Sequence, residues 1–394
     1  MKITVPTIDF GTSKIVTMVA QSNGERCDIV GSGAVPYSGY LQDGWNNPDE
    51  IRDVIRTAID QAQKTGNCRI HELNVGVPGM FTRVIVKEVH VSLTGPDPHV
   101  TAQDVRACFK LAEESGGDRI IHSAPAWFRV DYGKKTLSPV GIKGRELSAM
   151  IALVTADKYF IDYITYRLRD MDIEPREFYS TVAGEATYAL SQDERDKTAM
   201  LIDIGYLCTD VMVMEGDALI FHKCLDIGGG HISADIAEQL NIPFPFVEEK
   251  IKQTYSFNST NQDETYVIPA TEDEPARTVR RDEVTPIIEA KVEEIAEAIN
   301  KALEEGGVKL GKWSNVYLTG GGLILNKGGK DFLAGKLHRI IREAQRTNNK
   351  MTSHVFSSAV GLTILVVTTQ EEQKAPEGGA KGLFSRAFRW LMGY

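Results

Sequence analysis

A chain of 394 residues is longer than one typical core, so two or more domains are expected. With 42% hydrophobic and 25% charged residues it has the make-up of an ordinary water-soluble protein. A net charge of −10 leaves no broad basic surface to neutralise phosphates, which excludes a nucleic-acid binder.

The first apolar run is cut by Asp9 before it could form a signal-peptide core. It leads into Thr7-Ile8-Asp9-Phe10-Gly11-Thr12-Ser13-Lys14: an extended stretch, an Asp as the strand ends, a Gly two residues on, hydroxyls in the turn. Lys14 to Ala20 and Asp28 to Val35 continue as strands of an opening meander. Asn47-Pro48-Asp49-Glu50 has the Asn cap and first-position Pro of a helix start. Ile51, Val54, Ile55, Ala58, Ile59 and Ala62 follow at helical spacing, and Gly66 ends the helix. Leu73 to Val77 is a short buried strand.

From about Phe81 to Thr155 the pattern predicts an inserted α+β module. Val84 to Val91 is strand-like, Thr101 opens a helix with Asp104 at its third position, and Arg119 to Tyr132 and Leu147 to Val154 are two more strands. No cluster of catalytic side chains stands here, so the module is built for contact. A helix from about Asp157 to Met171 and the run Ser180 to Leu190 return to the first core.

Leu201-Ile202-Asp203-Ile204-Gly205-Tyr206-Leu207-Cys208-Thr209-Asp210 then repeats the opening turn. Such a turn aims backbone N–H groups into one concavity that suits a phosphate, Gly lets the ligand approach, and the Asp can hold magnesium through water. Either turn alone is equally an ordinary hairpin with Asp at its corner; the pair points to a duplicated fold closing on one nucleotide. Leu219 to Leu225 leads into Asp226-Ile227-Gly228-Gly229-Gly230, a strand-to-helix junction that could hold an anion or simply turn tightly. Tyr255 to Arg281 predicts a hairpin or loop, and Thr285-Pro286 starts a long helix that Gly306-Gly307 stops. Asn315 to Leu318, the turn Gly320-Gly321-Gly322, a basic helix from Asp331 to Arg346 and Ser357 to Leu362 complete the body. Ala359 to Val367 is far too short to span a bilayer. The scattered cysteines Cys27, Cys68, Cys108, Cys208 and Cys224 make neither metal-ligand spacing nor a disulfide framework, so the expected home is a reducing cytoplasm.

Residues 370–380 form a polar Gly- and Pro-containing linker. Beyond it, Leu383, Phe384, Phe388, Trp390 and Leu391 line one side of a helical wheel, with Arg386 and Arg389 opposite. Aromatics facing arginines after a linker predict a helix lying in an anionic membrane interface. A terminal helix docked on the protein body is the other reading.

The three glycine turns, with the insert loop Pro139-Val140-Gly141, Gly229-Gly230-His231-Ile232 and Ala359-Val360-Gly361-Leu362, resemble the actin-like ATPase superfamily and, within it, the FtsA family of bacterial cell-division proteins. The resemblance implies a two-lobed actin-like (ribonuclease-H-like) α/β ATPase fold with a small α+β insert and a C-terminal amphipathic helix. It divides the chain into a first lobe (1–80 and 156–197), the insert (81–155), a second lobe (198–226 and 309–369), a second-lobe subdomain (227–308), the linker and the helix 381–394. It implies ATP and magnesium, with Gly11, Thr12, Ser13 and Lys14 at one phosphate turn, Gly205 and Thr209 at the other, and metal at Asp9 and Asp203. Gly228 and Gly229, Glu249 and Lys252, and Gly320, Gly321 and Gly322 match the family's nucleotide positions. Arg280, Arg281 and Lys291 are candidates for the C-terminal peptide of FtsZ.

The implied function is self-association into filaments that tether FtsZ to the cytoplasmic face of the membrane at the division site, with later division proteins meeting 81–155. Rival readings are a pilus or secretion scaffold and a small-molecule kinase of the same fold. Two departures stand out: Tyr206 and Leu207 replace glycines in the second turn, and position 181 is Thr where many members carry Glu. At most a weak ATPase is expected.

Overall fold

The computed structural model describes residues 3–24, 26–41, 44–114, 117, 119–261, 263–270, 275–311, 314–344 and 353–373. Strands β1 (Ile3–Phe10), β2 (Lys14–Ser22) and β3 (Cys27–Pro36) open the chain, followed by the small pair β4 (Tyr40–Leu41) and β5 (Gly44–Trp45) and by α1 (Ile51–Gly66). Next come β6 (Glu72–Val77), β7 (Thr82–Ser92), α2 (Ala102–Glu114), β8 (Ile120–Val130), β9 (Glu146–Ala156), α3 (Lys158–Arg169), β10 (Glu174–Ser180), α4 (Thr181–Ala189) and α5 (Gln192–Arg195). The second half holds β11 (Ala199–Ile204), β12 (Thr209–Glu215), β13 (Ala218–Leu225), α6 (Gly229–Gln239), α7 (Phe244–Phe246), β14 (Thr265–Ile268), β15 (Arg277–Arg280), α8 (Arg281–Glu305), β16 (Asn315–Thr319), α9 (Gly329–Leu337), β17 (Ile341–Glu343) and α10 (Ser357–Gln373).

The two large sheets have one plan. Their strand orders are β10-β6-β1-β2-β3 and β13-β12-β11-β16-β17, so each sets a three-strand meander beside two further strands. Two compact units divide the chain: Met1–Leu201, Met212–His222 and the described part of Gln345–Tyr394 in one, Ile202–Val211 and Lys223–Ala344 in the other.

In the first unit β1 runs antiparallel to β2, with Asp9 opposite Val16 and Phe10 opposite Ile15, and parallel to β6. Side chains alternate across a strand, so a sheet buried on both faces is apolar at nearly every position. One face packs Ile8, Phe10, Ile15 and Val19 on Ile51, Ile55 and Ile59 of α1 and on Phe160, Ile164 and Leu168 of α3. The other takes α10: Leu362, Leu365 and Val366 meet Ile3, Val5 and Ala20, and Val360 and Ile364 meet Val16 and Met18. Residues 357–369 therefore belong with the first sheet, which corrects their expected place in the second lobe. The helix also continues to Gln373, past the expected linker start at 370, because Gln370 is buried and its amide donates to Asn74 Oδ1 at 3.4 Å.

The insert is a three-strand antiparallel sheet in the order β7-β9-β8. A reciprocal cap starts α2, the Thr101 N–H donating to Asp104 and the Asp104 N–H to the Thr101 hydroxyl. The helix lays Val105, Cys108 and Ala112 on Leu147, Ala149, Ile151 and Leu153. The opposite face, with Ala124, Ala126, Trp127 and Ala152, receives Ala218 from the β12–β13 hairpin. Arg195, fully buried, locks that hairpin: its guanidinium donates to the carbonyls of Gly216 (3.0 Å) and Leu190 (2.7 Å) and to Asp217 (3.1 Å).

In the second unit α8 buries Val284, Ile288, Val292, Ile295, Ile299 and Leu303 along one stripe. It starts at Arg281, ahead of the expected Thr285-Pro286, because the Glu283 carboxylate accepts the Arg280 N–H at 2.9 Å and caps the earlier turn. The stretch before it forms the antiparallel hairpin β14–β15. The expected basic helix to Arg346 stops at Leu337: His338 takes a left-handed φ of 53°, and Ile341–Glu343 becomes a strand parallel to β16. Arg346 lies outside the described residues.

Candidate functional site

In the first unit the turn between β1 and β2 is closed by the Gly11 N–H donating to the Lys14 carbonyl at 3.1 Å. Two tyrosines fix its carbonyls, Tyr37 donating to Gly11 (2.7 Å) and Tyr40 to Phe10 (2.9 Å). Thr12 is buried, Ser13 and Lys14 are half-buried, and the Lys14 ammonium stands 5.2 Å from the centre of the Phe356 ring. Asp9 is only 4% exposed and accepts a hydrogen bond from Ser358 at the start of α10. Burial pushes its carboxyl up to about 6, against the opposing pull of the Ser358 hydroxyl and the Lys14 charge. A carboxylate so short of solvent gains from a cation beside it, so these residues fit a magnesium-bound phosphate.

The second unit repeats the turn, Gly205 donating to the Cys208 carbonyl at 2.9 Å. Asp9, Gly11 and Lys14 thus correspond, at one constant offset, to Asp203, Gly205 and Cys208. The replacements at Tyr206 and Leu207 carry no backbone strain, since neither residue is among those with positive φ.

Around this turn two further glycine segments of the second unit pack main chain on main chain. A Cβ on Gly228 would fall 2.8 Å from the Gly205 oxygen, one on Gly229 2.4 Å from the Gly322 Cα, and one on Gly320 (φ +87°) 2.0 Å from Asp203 Oδ1. Gly322 donates to the Ile204 carbonyl (2.7 Å), Gly229 to Gly205 (2.9 Å) and Gly230 to Tyr206 (2.7 Å). The Gly228 N–H goes to the His231 ring at 3.0 Å. The N–H groups of Gly228 and Gly229 are thus spent on the His231 ring and the Gly205 carbonyl, and both glycines serve turn-to-turn packing. Gly321 lies half-buried between Gly320 and Gly322. Thr209 is fully buried, and its hydroxyl donates to the Ile227 carbonyl at 2.7 Å, which fastens β12 to the α6 junction.

Lys252 ends a π-helical turn, Val247–Lys252. Its ammonium donates to the Gly229 carbonyl at 2.6 Å and pairs with Glu248 at 3.3 Å; the expected neighbour Glu249 is exposed. Burial lowers the Lys252 pKa, with Glu248 opposing. The Tyr206 ring lies 5.7 Å from the same ammonium and close over Gly230, where a Cβ would fall 3.0 Å from the ring. The Tyr206 ring beside Lys252 was not visible in the sequence, whereas Glu248 stands at the i,i+4 spacing of an ordinary helical ion pair, the signal that could have found it. Ser358, the partner of Asp9, stands in the run Ser357 to Leu362.

Of the peptide candidates, Arg281 is buried. It pairs with Glu264 at 3.1 Å, donates to the Ser256 carbonyl at 2.6 Å and stacks 4.2 Å over Tyr255. Lys291 bridges Asp235 (2.9 Å) and Glu294 (2.6 Å), and Arg280 alone is broadly exposed. Leu383, Phe384, Arg386, Phe388, Arg389, Trp390 and Leu391, and with them the amphipathic helix, lie outside the described residues. Among the described residues no helix is long and apolar enough to cross a membrane.

Residues 200–361 match the family model described as cell division protein FtsA, and residues 79–155 match the SHS2 domain inserted in FtsA. Over 98% of this chain and 97% of the relative, it is 24% identical to the cell division protein FtsA of Pseudomonas aeruginosa. Among solved structures it is similar to a PilM–PilN type IV pilus biogenesis complex (TM-score 0.62, 17% identity, covering 93% of this chain and 99% of the other). It is also similar to MreB5 of Spiroplasma citri bound to ADP (TM-score 0.54, 12% identity, 95% and 99% covered). Both likenesses are of the actin-like fold.

Proposed function

The chain belongs to the FtsA family of cell-division proteins, and from that premise we propose that it binds ATP with magnesium, self-associates, and tethers FtsZ polymers to the membrane. The observation that carries the nucleotide is the repeated turn: a carboxylate, a glycine and a closing N–H to C=O bond at matching places in two sheets of one strand order. Asp9 and Asp203 would hold magnesium through water, and Gly11, Thr12, Ser13 and Lys14 the phosphates. Magnesium would neutralise charge on the phosphate chain.

ATP acts here as a conformational ligand, binding the polymerising state more tightly than the other. Turnover is slow at most: position 181 is Thr, and Glu185 one turn on is buried against the backbone of Gly361. Residues 381–394 supply the membrane contact at the cytoplasmic face. One such helix binds weakly, and assembly of many copies multiplies the effect. The FtsZ peptide would meet the surface near Arg280 and Lys291, and later division proteins the insert 81–155.

Calorimetry with ATP and magnesium tests the nucleotide. Heat with wild type and its loss in Asp203→Ala is the expected result, and no heat at high protein concentration overturns it. Co-sedimentation with anionic vesicles, with and without residues 381–394, tests the tether; equal pelleting would remove it.

A further inference from the structure

We propose that Cys208, Asp210 and Cys224 form a binding site for one divalent cation of the zinc class. The three residues offer two sulfurs and a carboxylate oxygen that all lie within 4.8 Å of one another. Sequence spacing hides this, because the β12–β13 hairpin separates the pair from the single cysteine along the chain. The fold supplies the meeting. Cys208 and Asp210 are two residues apart in extended chain and so share a face, and Cys224 arrives from the neighbouring strand of the sheet.

Two thiolates and a carboxylate select a borderline-soft ion over magnesium or calcium, which prefer all-oxygen shells. Three protein ligands leave a fourth tetrahedral position for water. Each thiol enters as thiolate, so uptake of one cation releases two protons to solvent. Cys208 is buried and Asp210 and Cys224 half-buried, which shields the ligands while leaving a way in. The position carries a consequence. Cys208 closes the second glycine turn by accepting from Gly205, and Cys224 stands just ahead of the turn through Gly228, so one ion would pin both turns together. This site is separate from the magnesium positions at Asp9 and Asp203 and does not depend on ATP binding.

Cobalt titration of the reduced full-length chain tests the proposal. Thiolate-to-cobalt charge-transfer absorption saturating at one equivalent, displaced by zinc, is the expected result. Cys224→Ser should weaken binding at least about a hundredfold and Asp210→Asn about tenfold, while Cys68→Ser leaves it unchanged. Absence of the absorption in wild type overturns the site. So does absorption that survives in Cys224→Ser, and so does oxidation to a Cys208–Cys224 disulfide in a chain that takes up no cation when reduced. Should Cys224→Ser fail to fold, the Asp210→Asn titration and native mass spectrometry of wild type with zinc decide: an unshifted affinity and no zinc adduct overturn it.

Discussion

Gly184 of α4 and Gly361 of α10 lie so close that a Cβ built on Gly184 would sit 2.9 Å from the Gly361 carbonyl, and one on Gly361 2.5 Å from the Glu185 Cα. Two helices can approach this closely only where neither has a side chain. The crossing holds the start of α10 in place, and with it the Ser358 hydroxyl that donates to Asp9.

Alanine at Gly361 therefore tests packing against propensity. In an ordinary helix interior Gly→Ala gains about 1 kcal/mol. Here the methyl meets backbone that cannot swing aside, so a net loss of roughly 1–3 kcal/mol is expected in denaturant unfolding. A more stable Gly361→Ala protein would contradict the crossing.

Arg195 makes the second case. Burial pulls its pKa down and pushes that of Asp217 up, so each charge depends on its partner and on the carbonyls around it. Arg195→Met leaves the Asp217 carboxylate and the carbonyls of Gly216 and Leu190 without their donor, at an expected cost of about 3–5 kcal/mol. Arg195→Lys should rescue little, because a single ammonium cannot replace the guanidinium fan. Urea midpoints of the two variants within error of wild type would refute the lock.

Asp9 sets a pH dependence whose sign is fixed by its raised pKa. The folded carboxyl holds its proton to about 6, whereas in the unfolded chain it loses it near 3.8. Between those values the folded state binds more protons, so stability falls as pH rises through the window, by about 3 kcal/mol in all. Asp9→Asn keeps an acceptor for Ser358 and removes the charge, so it should flatten this limb and raise Tm at neutral pH. Magnesium nucleotide should raise wild-type Tm there and leave the variant unmoved. Parallel pH profiles for the two proteins would contradict the buried charge.

How far these features could be read in advance depends on whether local chemistry determined them. The turn at Gly11 and its repeat at Gly205 are written in adjacent residues, and the Thr101–Asp104 cap likewise. Gly66 was legible as a helix end, but the left-handed residue is Asn67 (φ 46°); Gly66 is kept small by the Cα of Gly31 across the α1–β3 contact. Long-range events were not legible. Strand β10 takes its place only by pairing with β6, Lys252 meets the Gly229 carbonyl and the Tyr206 ring from a distant stretch of chain, and Cys208 reaches Cys224 through a hairpin. In each, tertiary context decides what spacing alone cannot.

The pair Arg280 and Arg281 separates a binding surface from a structural support. Arg281 is held by Glu264, the Ser256 carbonyl and the Tyr255 ring, so Arg281→Ala should lose roughly 2–4 kcal/mol of stability through the stranded Glu264 and the lost packing. Arg280 projects into solvent beside Asp282 and Glu283, and Arg280→Ala should leave unfolding unchanged. If an acidic peptide docks on this face, Arg280→Ala weakens it by up to about fivefold and lowers the salt dependence of association, as expected for a rim charge. Fluorescence anisotropy with an acidic C-terminal FtsZ peptide at two salt concentrations reads both effects. Equal affinity and equal salt slope in wild type and Arg280→Ala would move the peptide away from the start of α8, and the Lys291→Ala variant would then show whether the α6–α8 seam takes its place.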